Sequence, residues 1–373
     1  MKLAPKDRPT HRNFLNSSFF LIALFPLLNY GISPLFLGCF MIASLFINGT
    51  KPNTLWCFSL FYVYILLLSF CYSGFNESMD RLSRSFLLLA FPLTMSSIKL
   101  NTNELQLFFK TYVGIIVFKS TICIILIILD KDFIYGSEIP ILGTEIHGTF
   151  FSYEILIAVL ITQHLITFKH KTFLIVFLTL VIVLFQKKIA LIAIILFWLF
   201  HIKRNRIGAL LLLFLTPLLY FKTGFLQKIN TLLKKTLELN LLGEDKVRLR
   251  LLDASWQNFI ENPFFGKGAV EHTLFFSQYN LEKLGPWAEQ MNTHNYFLFV
   301  LCSGGVLALS IFLFPYFIFL LKTYKKCTIY FYFLLFTLML NLTESLFDRY
   351  NGVTTFVLFS LVFHKYFLKT VRQ

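Results

Sequence analysis

What this chain has least of is charge. Only 14% of its 373 residues are Asp, Glu, Lys or Arg, against 57% hydrophobic residues. Soluble globular chains carry about 25% charged and about 45–50% apolar residues. The shortage of charge excludes an ordinary cytosolic enzyme, and the apolar excess excludes a disordered chain. Cysteine is scarce as well. Cys39, Cys57, Cys71, Cys123, Cys302 and Cys327 all fall in or at the edge of apolar runs, so nothing suggests a disulfide framework or a Cys metal site. No H-E-x-x-H and no Cys/His ligand spacing occurs, so neither a catalytic metal nor a cofactor is expected. Acid is the scarcer sign: 19 acidic residues face 34 basic ones, for a net charge of +15.

What is present is apolar bulk, including 47 Phe, arranged in runs of helix-spanning length. An outer-membrane barrel would show alternating segments of about ten residues. The runs predict spans at about 13–30, 32–48, 54–71, 85–98, 106–129, 148–167, 172–186, 188–202, 207–222, 295–321, 327–342 and 352–368. The first run lacks a small-residue cleavage site and reads as a retained span. Twelve spans put both termini on one side. If that side is the cytoplasm, its segments hold 17 basic residues, among them Lys203, Arg204, Arg206, Lys322, Lys325 and Lys326, and only Asp7 and Glu104 as acids. The rest of the chain is then neutral. The whole positive excess is a topology signal, and nucleic acid is not needed to explain it.

The expected external loops are uneven. Residues 72–84 and 343–351 are short and polar, and 130–147 is acidic. The large loop, 223–294 between spans nine and ten, is the expected seat of function. The chain reads as one integral membrane domain, 1–373, with this loop embedded in it. Within the loop, 225–241 has the spacing of an amphipathic helix lying on the membrane. A second helix fits 247–261. Leu252, Trp256, Phe259 and Ile260 make its apolar stripe, Arg250, Asp253, Gln257 and Glu261 fall on its polar face, and Asn262-Pro263 ends it. Arg248 lies on the apolar stripe, where a guanidinium must snorkel or find an anion.

Several groups can carry chemistry. His294 stands where the large loop re-enters the membrane, and histidine suits a general base acting on a hydroxyl. The alternative is an interfacial His satisfied by a backbone carbonyl. Gln186-Lys187-Lys188 forms a tight external hairpin, where lysines are uncommon. They either bind a lipid-linked diphosphate or snorkel. Arg81 and Arg84 either bind phosphate or pair with Glu77 and Asp80. Lys110 and Lys119 lie inside span five, and Glu154 and Glu344 are the carboxylates nearest the membrane. The lysines are functional candidates, with snorkelling to the cytoplasmic edge as the alternative for Lys110, and the two carboxylates either orient a cation or a sugar or staple helices.

The run R-x14-P-x2-G-x-G, from Arg248 to Pro263, Gly266 and Gly268, is followed by His294-Asn295-x2-Leu298 and by Gly305, eleven residues after the histidine. This resembles the C-terminal signature of the O-antigen ligase and O-antigen polymerase superfamily of bacterial membrane glycosyltransferases. The layout of twelve spans with one large loop between spans nine and ten is similar too, and the LTESLFDRYNG segment resembles an acidic stretch of some members. There are departures. Members commonly have a Ser-Arg pair where this chain has Gln186-Lys187-Lys188, so the cation is kept but the bidentate fork is lost. The second Gly of the G-x2-G pattern is Ala308.

The resemblance implies an all-α polytopic fold similar to the GT-C class. It also implies an inner-membrane enzyme that takes its donor from an undecaprenyl-diphosphate-linked glycan. The acceptor is a glycolipid, another lipid-linked glycan or a protein hydroxyl. In that scheme His294 is the catalytic base and Asn295 orients it or holds a sugar. Lys187, Lys188 and Arg248, supported by Arg81 and Arg84, stabilise the departing diphosphate, and Arg250 and Glu344 support the site. The rival class is a lipid-linked oligosaccharide flippase, which should line a cavity with polar groups spread through its spans. Here the spans are mostly Phe, Leu and Ile, and the polar residues gather at one face.

Overall fold

Where apolar runs give way to polar residues, helix caps set the boundaries. At Asn101 the side chain accepts from the Glu104 N–H (2.8 Å), while the Glu104 carboxylate accepts from the Asn101 N–H (2.6 Å). This reciprocal pair satisfies two donors that would otherwise face the apolar helix end unbonded. The structure, a computed structural model, describes residues 19–28, 37–43, 56–72, 86–90, 100–129, 138–141, 144–167, 169–185, 187–201, 243–269 and 293–370, with a few isolated positions between them. The expected span at 207–222 and the expected helix at 225–241 lie outside the described residues.

The described elements are α1 (Trp56–Tyr72), α2 (Thr102–Leu129), α3 (Gly148–His164), α4 (Lys171–Phe185), α5 (Lys188–His201), α6 (Gly243–Glu261), α7 (Tyr296–Thr323), α8 (Thr328–Asn341) and α9 (Tyr350–Thr370), with 3-10 turns at Phe19–Leu27 and Leu346–Asp348. The starts of α3, α4, α8 and α9 fall within about two residues of the expected spans. By length and composition α2 and α7 are long and apolar enough to cross a membrane, and α1, α4, α5 and α8 are shorter apolar helices. These helices fit a helical membrane protein. The core is largely aromatic: Phe58 stacks on Phe319 at 5.6 Å, Phe333 on Phe356 at 6.0 Å, and Tyr112 meets Phe359 edge-on at 4.6 Å.

One departure from an all-helical chain lies in the acidic loop. Glu138–Ile141 (β1) and Thr144–His147 (β2) pair antiparallel, Glu138 opposite His147 and Ile141 opposite Thr144. β2 runs straight into Gly148 at the start of α3.

A second difference concerns span ten. The sequence predicts one crossing over 295–321. Instead α7 breaks at Gly305, whose φ of 68° and ψ of −169° are not helical. The Tyr296 and Phe312 rings are 5.4 Å apart, and Phe297 and Phe312 are 6.0 Å apart. In an unbroken helix residues 296 and 312 would be about 24 Å apart. The stretch 296–304 therefore folds back along 306–312 as a helical hairpin.

The same break explains the glycine motif. The Pro263–Gly268 loop supplies hydrogen bonds in place of those the helix loses. The N–H groups of Lys267 and Gly268 donate to the carbonyls of Cys302 (3.0 Å) and Ser303 (2.9 Å), and those of Val306 and Leu307 donate to the carbonyls of Pro263 (2.8 Å) and Phe264 (3.4 Å). A Cβ on Gly266 would lie 2.4 Å from the Gly304 nitrogen, and one on Gly305 would lie 2.1 Å from the Phe264 oxygen. Both are backbone atoms that cannot swing away. Ala308, which replaces the second glycine of the family pattern, is fully buried beside Gly304.

The loop also fixes α6 against α7. The Cys302 thiol donates to the Ser255 carbonyl (3.0 Å). The buried line of α6 is Leu251, Ala254, Ser255 and Asn258. Trp256 and Ile260 of the apolar stripe are exposed. Small residues face the protein because the helix approaches α7 closely, and the large ones face outward.

Candidate functional site

The fold-back of α7 carries its own N-terminus into the bundle. Asn295 caps that N-terminus, its side-chain oxygen accepting from the Leu298 N–H (3.2 Å). Its neighbour His294 is the one described non-glycine residue with positive φ, at 48°. Histidine tolerates that region better than most residues, yet the conformation persists only when its surroundings enforce it.

The surroundings are specific. Thr293, on one side, donates through its hydroxyl to the Asn295 carbonyl (2.9 Å) and sits 3.4 Å from the Ser345 hydroxyl. On the other side His294 Nδ1 lies 3.5 Å from Glu344 Oε2. Glu344 Oε1 in turn accepts from the Thr149 hydroxyl at 3.4 Å. The imidazole is about one-third exposed and the carboxylate about one-fifth. A molecule approaching from outside the bundle can therefore reach the ring, while the carboxylate sits behind it.

Thr149 follows Gly148, and Gly148 is where Lys187 arrives. A Cβ on Gly148 would lie 2.7 Å from Lys187 Cε and 3.7 Å from its Nζ. The absence of a side chain at 148 is thus what admits the lysine at the end of α3. Gly148 and Thr149 form a two-residue bridge with a cation on one side and a carboxylate–imidazole pair on the other. His294, Glu344 and Lys187 come from positions 50 to 157 residues apart in sequence, and the structure gathers them at one end of the bundle.

Of the other sequence candidates, some are placed less centrally and some lie outside the described residues. The Asn295 side chain is engaged in its cap. Lys188 begins α5 and Arg248 lies within α6, but their side chains are outside the described residues, as are Arg81 and Arg84 altogether. Ser83, between those arginines, has its hydroxyl 3.0 Å from that of Tyr350, the first residue of α9. Arg250 is exposed on α6, and Lys110 is exposed on α2. Lys119 and Glu154 are buried and bonded to each other at 2.9 Å, with Lys119 also donating to the Pro26 carbonyl (3.0 Å) and lying over the Phe151 ring. For Glu154 this is the helix staple that the sequence left as one of two alternatives.

Sequence reasoning missed Gly148, Thr149, Thr293 and Ser345. Thr293 adjoins the histidine and Ser345 the glutamate, so adjacency to chosen residues was the available signal for both. Gly148 and Thr149 carried none.

Residues 172–313 match the model of a family described as O-antigen ligase. Over that segment the chain is similar to the O-antigen ligase family. The segment contains Lys187, both glycine motifs, His294 and the break at Gly305, and it bears out the resemblance read from those motifs. The ligase-family match points the chain to glycan transfer at a membrane. Thr149, Glu344 and Ser345 lie outside the matched segment and reach its histidine only through the fold. No curated protein sequence matches the chain.

Proposed function

We propose that the chain moves a glycan from an undecaprenyl-diphosphate carrier to an acceptor hydroxyl, without a metal ion, at the periplasmic face of a bacterial inner membrane. The observation that carries this reading is the meeting of His294, Glu344 and Lys187 around Gly148–Thr149.

The chemistry follows from those positions. Glu344 faces Nδ1 of His294 and favours the tautomer with its proton there. Nε2 then takes the proton of the acceptor hydroxyl. The acceptor oxygen bonds to the anomeric carbon of the donor sugar as the bond from that carbon to the diphosphate oxygen breaks. The electron pair of the broken bond stays on the diphosphate. Lys187 offsets that developing charge, and the capped N-terminus of 296–304 adds the positive end of a helix dipole nearby. General-base catalysis supplies about 10²–10⁴-fold in rate.

The roles separate experimentally. Replacing Lys187 and Lys188 together by Ala should weaken binding of the lipid-linked donor. His294→Ala should leave donor binding intact and abolish transfer. Normal donor binding by the double lysine variant would remove the diphosphate role.

A further inference from the structure

The exposed side of α6 divides into two lines. Arg250, Asp253, Gln257 and Glu261 form a polar line, internally paired where the Gln257 amide donates to Asp253 (3.0 Å) and Glu261 pairs with Lys267. Leu249, Trp256 and Ile260 form an apolar line about a quarter turn away. The apolar line continues past the helix end into Phe264, 71% exposed, and Phe265, 53% exposed. The third side, through Leu251, Ala254, Ser255 and Asn258, is buried, with Ser255 against Cys302 of α7 and Leu251 and Ala254 against Phe275 and Tyr279. A helix on a soluble surface needs one apolar side; this one has two.

The position of the apolar line relative to α7 identifies what meets it. From Gly305 to Thr323 is eighteen residues, about 27 Å of helix, which matches the roughly 30 Å hydrocarbon core of a bilayer. Lys322, Lys325 and Lys326 mark one end of that length, and Phe314, Phe317 and Leu321 are exposed along it. Gly305 is then at the opposite boundary. The Pro263–Gly268 loop is hydrogen-bonded to that point, so Phe264 and Phe265 stand at the edge of the hydrocarbon, beside the exposed Val306 and Leu307 of α7.

We propose that α6 and the Phe264–Phe265 tip form an anchor in the bilayer interface, with the apolar line among phospholipid acyl chains and the polar line in water. Trp256 suits that boundary, because its indole has an apolar body and one polar atom. The anchor fixes the height at which the loop holds the α7 break. The proposal concerns seating in the lipid and holds whether or not the chain transfers a glycan.

The test uses the full chain in vesicles of phosphatidylethanolamine and phosphatidylglycerol, free of polyprenyl lipid. The photoreactive amino acid benzoylphenylalanine replaces Trp256, Phe264 or Asp253 in turn. Ile260 serves as a further apolar-line position if one of the first two variants fails to fold. Illumination should give about tenfold more phospholipid adduct at 256, 264 and 260 than at 253, as expected for a helix seated on one side in the interface. Adducts to a second copy of the chain, adducts that need added polyprenyl lipid, or equal lipid adducts at 253 and 256 would each overturn the proposal.

Discussion

Gly305→Ala probes the hairpin that brings His294 into the bundle. The backbone at 305 has φ 68° and ψ −169°, a region essentially reserved for glycine, and holding alanine there costs about 1–3 kcal/mol. The new Cβ would also lie 2.1 Å from the Phe264 oxygen and 2.5 Å from the Phe265 nitrogen, so the loop must move. Moving it gives up the four backbone hydrogen bonds that replace the interrupted helix ladder, each worth a net of about 1 kcal/mol. The combined loss is about 5–7 kcal/mol, a large share of the roughly 5–15 kcal/mol that holds an ordinary fold together. Gly114→Ala is the matched control. That position lies inside α2 with nothing within 4 Å of the added Cβ, and alanine there should stabilise the helix by about 0.5–1 kcal/mol. Thermal unfolding in detergent reads both. The Gly305 variant should melt several degrees lower and lose activity, and the Gly114 variant should melt at or slightly above the wild type. A Gly305→Ala protein that melts with the wild type and stays active would refute the hairpin.

Three further outcomes follow from the geometry. Glu344→Gln keeps the shape of the side chain but removes its charge, and should cut transfer by about 10–100-fold with donor binding unchanged; an unchanged rate would show that the 3.5 Å approach to His294 does no work in the reaction. Gly148→Ala should push Lys187 aside and raise the donor KM several-fold while the melting point stays put, because the clash at 2.7 Å is with a flexible side chain; a KM equal to wild type would separate Lys187 from the donor. Lys119→Met leaves Glu154 buried without its partner and should destabilise the chain by about 3–5 kcal/mol, with most of the loss recovered when Glu154→Leu is added; additive losses in the double variant would mean the two side chains do not act as a pair.

Much of the bundle was legible because apolar runs of spanning length leave few alternatives to helices. The starts of α3, α8 and α9 followed from where those runs begin. The break in α7 was not legible, because residues 295–321 stay apolar through it, and only the glycine at 305 marks the turn. The motif pattern P-x2-G-x-G and the later glycine were visible as spacing. Their purpose, one loop completing the hydrogen bonds of another segment's broken helix, is a three-dimensional fact. The stripe on α6 was legible by its period, but which side of the helix is buried was not: Trp256 is exposed, whereas the small residues Ala254 and Ser255 are buried, Ser255 where the helix meets Cys302 of α7. For the site, His294, Lys187 and Glu344 were recognisable by residue type and location. Their convergence on Gly148–Thr149 was not, since two small residues at the start of an apolar helix carry no signal of their own.

The most direct measurement of the central claim is made in a deletion strain of the source organism carrying either the wild-type or the His294→Ala gene. Surface glycan is read on gels and lipid-linked intermediates by mass analysis, with membrane insertion of both proteins verified. The account predicts that the wild-type gene restores the surface product. The His294→Ala strain should match the deletion, with glycan held on its carrier in the outer leaflet. Full restoration by His294→Ala, or intermediates trapped in the inner leaflet of the deletion strain, would contradict it.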